Sequence, residues 1–129
     1  MTVKHLVELD TNDIVDILSS ASIGSNYWLA SIGAEQVDYK RAKDMASREA
    51  TIEEIWADIL FYGKYLIAHY YDQDGDEETC TDEITLDKLK KGVNLVLDNK
   101  QWNGEETTFD SVVADAIIQY ALFDEIVYG

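Results

Sequence analysis

Between Asp72 and Glu83 the chain carries seven carboxylates, Asp72, Asp74, Asp76, Glu77, Glu78, Asp82 and Glu83, and no base. Two kinds of chemistry use such a run. Oxygen ligands alternating around a glycine hold calcium, and a dense negative surface attracts cations and basic proteins. The calcium reading fails on spacing. An EF-hand loop needs three oxygen ligands ahead of its glycine, a bidentate glutamate six residues beyond it and helices on both sides. Only Asp72 and Asp74 precede Gly75, position 81 is threonine, and both flanks pattern as strands. The run therefore reads as an interaction surface. Duplex DNA presents one charge per roughly 1.7 Å of its axis, so a carboxylate-lined face suits a site built for phosphates. Aromatic anchors supply much of the affinity in such contacts, and Tyr70, Tyr71 and Trp102 are the candidates nearby. The alternative is an acidic face that serves only solubility.

A second constellation is Gly24-Ser25-Asn26-Tyr27-Trp28 with the basic island Lys40, Arg41, Lys43 and Arg48. An amide, a phenol and an indole beside cations would line a pocket for a small anionic signalling ligand. The plainer alternative makes Gly24 a helix stop, Tyr27 and Trp28 core anchors with polar handles, and the cations a counterweight to the acidic body. No other grouping carries reaction chemistry. His5 and His69 have no spacing partner, the serines at 19, 20, 22 and 25 sit in no nucleophile motif, and no phosphate-binding or dinucleotide fingerprint occurs. Cys80 lies among acids, which disfavours a thiolate. Neither catalysis, a cofactor nor a metal is expected.

The elements that position these residues belong to a chain of 129 residues, one domain's length, with 26 acidic and 10 basic side chains and a net charge of −16. The excess is lopsided: residues 51–129 hold eighteen acids against five bases. Direct binding to nucleic acid or an anionic membrane is disfavoured, and a basic partner, itself nucleic-acid-binding, is favoured. An apolar fraction of 47% supports a folded body rather than an acidic tail. The single cysteine excludes an intrachain disulfide, the amino terminus lacks a signal-peptide pattern, and the apolar stretch Ile59–Tyr71 is shorter than the roughly 20 residues a membrane span needs. A cytoplasmic protein of open oligomeric state is expected.

Along the chain, Val3–Leu9 alternates like a strand. Asp10 or Thr11 caps a helix with Ile14, Val15, Leu18 and Ala21 on one face, which Gly24 closes in the left-handed conformation. Tyr27–Ile32 is a strand or buried connector. Thr51 and Glu54 form a capping box for a helix ending at Gly63. Lys64–Tyr71 and Thr79–Thr85 form a hairpin around the acidic turn. Thr85 caps a helix bearing Leu86, Leu89, Val93, Val96 and Leu97; residues 99–108 are a loop; a broadly apolar last helix starts near Asp110. The sum is one α+β domain over residues 1–129, a small antiparallel sheet packed by about four helices.

Two segments together resemble a known family: Asp13-Ile14-Val15-Asp16-Ile17-Leu18 running into Gly24-Ser25-Asn26-Tyr27-Trp28, and Ala114 to Gly129 with its Ile-Gln-Tyr-Ala-Leu-Phe-Asp-Glu-Ile-Val-Tyr-Gly ending. They look like an uncharacterised family of small acidic proteins of bacteriophages, prophages and mobile elements, and Ile84-Thr85-Leu86 matches its hairpin-to-helix junction. One glycine precedes the Tyr-Trp pair where the family often has two, and Asp124 stands where it has glycine. The resemblance implies a phage-type origin in a bacterial host cell, and by analogy a non-catalytic binding protein that inhibits a host nucleic-acid-dependent defence system, of anti-CRISPR or anti-restriction type. A structural or accessory phage protein is the other expectation.

Overall fold

The computed structural model describes residues 8–72 and 80–129. Among these residues, five α-helices, a short 3-10 turn and three strands follow in the order α1 (Thr11–Gly24), β1 (Leu29–Ala34), α2 (Gln36–Met45), α3 (Ile52–Phe61), β2 (Leu66–Tyr70), β3 (Cys80–Ile84), α4 (Leu86–Asp98), the 3-10 turn Glu106–Thr108 and α5 (Ser111–Phe123). The class is α+β.

Helix starts follow their caps. Asp10 accepts from the Asp13 amide while Asp13 accepts from the Asp10 amide, a reciprocal box that Thr51 and Glu54 repeat at α3. Thr85 caps α4 and Asp110 caps α5 through the amides of Lys88 and Val113. Gly63, at φ +84°, lies in the left-handed turn that follows α3.

Gly24 ends α1 differently from the left-handed stop expected of it. It is the last helical residue, and a Cβ there would lie within 2.1 Å of the Ser111 carbonyl oxygen. It is a glycine because α1 crosses the start of α5 at backbone contact. The helix α2 lies where the sequence shows helical character without a clear pattern. Its apolar residues Val37 and Met45 are exposed, so it carries no buried stripe for a period to show.

The sheet runs β1-β2-β3, all antiparallel, with β2 central. Pairing places Ala34, Leu66 and Ile84 in one row and Ile32, Ala68 and Asp82 in the next. Leu66, Ala68 and Ile84 are fully buried, so this face meets the helices. The register slips between Leu29 and Ser31, a bulge at Ala30. Among the described residues β1 is paired on one side only and holds no charged residue from Leu29 to Ala34.

At the centre lies α5, buried on every side from Ala116 to Ala121 and packed on α1, α4 and β3. The crossing with α4 is as close as that with α1: a Cβ on Gly92 would stand 2.3 Å from the Ile117 carbonyl oxygen. The strand expected over residues 3–9 lies outside the described residues save Glu8 and Leu9, which are irregular. No helix among the described residues is long and apolar enough to cross a membrane.

Candidate partner-binding surface

Of the acidic run, Asp74, Asp76, Glu77 and Glu78 lie outside the described residues. The others do not form one patch. Alternate residues of a strand point to opposite faces, and Asp82 follows Ala68 onto the helix-facing side of the sheet, while Glu83 is exposed on the other. Asp82 is 3.4 Å from the Lys88 ammonium, which also donates to the Glu83 carbonyl at 2.7 Å. Asp72 is half-buried.

The expected aromatic anchors are each half-buried, with bonds or ring contacts to the rest of the fold. Tyr70 stands edge-on to Trp28 and Phe123, with ring centres 6.0 and 5.3 Å away. Burial and the neighbouring Asp82 raise its phenol above the ordinary value. Tyr71 uses its backbone: its amide donates to the Trp28 carbonyl and its carbonyl accepts from the Tyr128 hydroxyl at 2.7 Å. Trp102 is half-buried, donating through Nε1 to the Glu105 carbonyl and Thr108 Oγ1.

The glycine-led turn is built into the protein by one carboxylate. Asp115, on α5, accepts from Ser25 Oγ at 2.7 Å, Trp28 Nε1 at 2.7 Å and the Tyr27 hydroxyl at 2.8 Å. Gln119, one turn further and 1% exposed, donates to Asp115 and to the Tyr128 carbonyl, while its own oxygen accepts from the amides of Val127 and Tyr128. Tyr128 then stacks on Trp28, 5.0 Å between centres and 6° from parallel. Residues 25–28 and 115–128 are thus one packed unit. Partial burial, with the Asp115 hydrogen bond and charge added, pushes the Tyr27 phenol up to about 12.

The basic island does not share this turn's cavity. Tyr27 lines a depression with Asp115, Gln119, Val112, Ile126 and Tyr128, whereas Asn26 lines another with Leu29 and Trp56. Neither contains Lys40, Arg41, Lys43 or Arg48. Arg41 lies 3.4 Å from Asp58 and 3.7 Å from the centre of the Tyr62 ring. Lys40, Lys43 and Arg48 are exposed on and after α2.

Trp102 leads to a site that sequence reading missed. A groove of about 490 Å³ runs between α1, α4 and the loop after α4, floored by Ile17, Val93, Leu97, Trp102 and Phe109. Its rim carries Glu8, Asp10, Asp13, Asp16 and Glu106, and among the described residues no lysine or arginine lines it. Asp10 and Asp13 are spent on the helix cap, and Glu8 lies 3.7 Å from Lys90. Among the described residues Asp16 and Glu106 have no ion-pair partner. Ninety positions separate these two, so no local pattern reports the groove.

No family model, no curated protein and no solved structure matches the chain.

Proposed function

We propose that the protein is a non-catalytic binding protein that engages a basic, nucleic-acid-binding host protein and inhibits a nucleic-acid-dependent defence system by placing carboxylates where phosphates would sit. The observation that carries the reading is how the cations of the acidic half are used. Three of its five, Lys88, Lys90 and Lys91, stand on α4, each against a carboxylate of another segment: Asp82 of β3, Glu8 before α1, and Asp124 after α5. Positive charge is spent tying the fold together, in a half of the chain where eighteen acids face five bases. A net negative field of this size accelerates encounter with an oppositely charged protein. The resemblance to phage and mobile-element proteins supports the direction of the effect.

Capture by the tagged full-length chain over a salt series in a bacterial lysate, followed by assay of the retained protein for nucleic-acid binding, tests this. We expect one basic protein that is lost as salt rises and whose nucleic-acid binding the chain blocks. Replacing Asp74, Asp76, Glu77, Glu78 and Glu83 by their amides should weaken retention at least tenfold. Retention indifferent to salt and to these replacements would sink the reading.

A further inference from the structure

We infer that the groove between α1, α4 and the Trp102–Phe109 loop receives a basic amphipathic peptide segment of the partner. The inference rests on the reading that the partner is basic, and adds where and how it docks. The two halves of the groove make different demands. The floor of Leu97, Trp102 and Phe109 gains from apolar side chains, since aromatic surface buried in a pocket dominates such contacts. The rim gains from cations, because among the described residues Asp16 and Glu106 carry no ion-pair partner and no base lines the groove.

A ligand that satisfies both must present apolar groups along one line and cations beside them. A peptide helix with apolar residues at i, i+3 or i+4 and lysine or arginine flanking them does so, the helix-in-groove mode of recognition. Trp102 is held for this by bonds from Nε1 to its own loop, at 3.1 Å to the Glu105 carbonyl and 3.0 Å to Thr108 Oγ1, and by Phe109 edge-on at 5.5 Å. An anchor fixed in advance loses little freedom on binding. A basic helix that otherwise lies along phosphates has the charge such a rim recognises.

The probe is a synthetic sixteen-residue peptide of leucine and lysine with leucines on one helical face, titrated into the full-length protein by calorimetry and by tryptophan fluorescence. Expected are saturable binding that weakens with salt, a fluorescence change absent from Trp102→Phe, and at least a tenfold loss of affinity in the exposed double variant Asp16→Asn/Glu106→Gln, whose fold circular dichroism checks. Equal binding of a scrambled peptide with the same composition would reduce the contact to charge and overturn the inference. So would affinity unchanged in the double variant, equal competition by a simple polyamine, or a dimer of the protein that closes the groove to the peptide. If the peptide fails while salt-sensitive retention of a basic protein persists, the groove assignment falls and the binding function stands. If the peptide binds as expected but no basic protein is retained, the functional reading falls alone.

Discussion

Asp115 shows what one side chain can organise. Its acceptors hold Ser25, Tyr27 and Trp28 from a turn almost ninety positions earlier, and Gln119 ties the same carboxylate to the last residues of the chain. Tyr27 reports on this hub. Its phenol is pushed up to about 12, by burial first and by Asp115 second, from the 10 expected of the unfolded chain. Below pH 10 both states keep the proton and this group adds no pH dependence. Between pH 10 and about 12 the unfolded chain loses its proton first, so folding loses stability as pH rises through that window. Asp115→Asn should lower the Tyr27 pKa without restoring 10, because burial remains. NMR titration of ring-labelled tyrosine, with Tyr27→Phe to assign the signal among 8 tyrosines, reads it out. A Tyr27 that titrates at 10 in the native protein would refute the account.

Among the elements, the close crossings bear most on the architecture. Gly92 allows α4 to meet α5 with backbone on backbone, and a methyl group there would stand 2.3 Å from the Ile117 carbonyl. Gly92→Ala should lower the unfolding free energy by about 1–3 kcal/mol, the usual cost of forcing volume into a packed contact. Gly33→Ala, with nothing within 4 Å of the new Cβ, should leave it nearly unchanged; urea denaturation compares the two. Caps and apolar stripes made α1, α3, α4 and α5 legible in the sequence, since each is a local pattern. The helix α2 left no such trace because it buries little more than Asp38 and Ala42. The site was less legible still. Asp82 and Glu83 are neighbours in sequence and opposites in space, whereas Asp16 and Glu106 come to line one groove only when α1 and the loop after α4 are brought together. Charge counted along the chain is blind to both.

For the whole molecule, a net charge of −16 keeps copies apart as long as the carboxylates stay ionised. That repulsion guards a weak point. Strand β1, with the sequence Leu-Ala-Ser-Ile-Gly-Ala, has one side unpaired among the described residues and offers no charge of its own to deter a second strand. Acidification that protonates the carboxylates should therefore unmask it, and mildly acidic solutions should become turbid with β-rich, dye-binding aggregates. Ser31→Lys places an exposed cation on that edge and should delay the onset severalfold in light scattering, whereas equal onset in the two proteins would place the sticking surface elsewhere. On the proposed reading, the acidity that draws a basic partner doubles as protection against precipitation, and a compartment that titrates it away removes both at once.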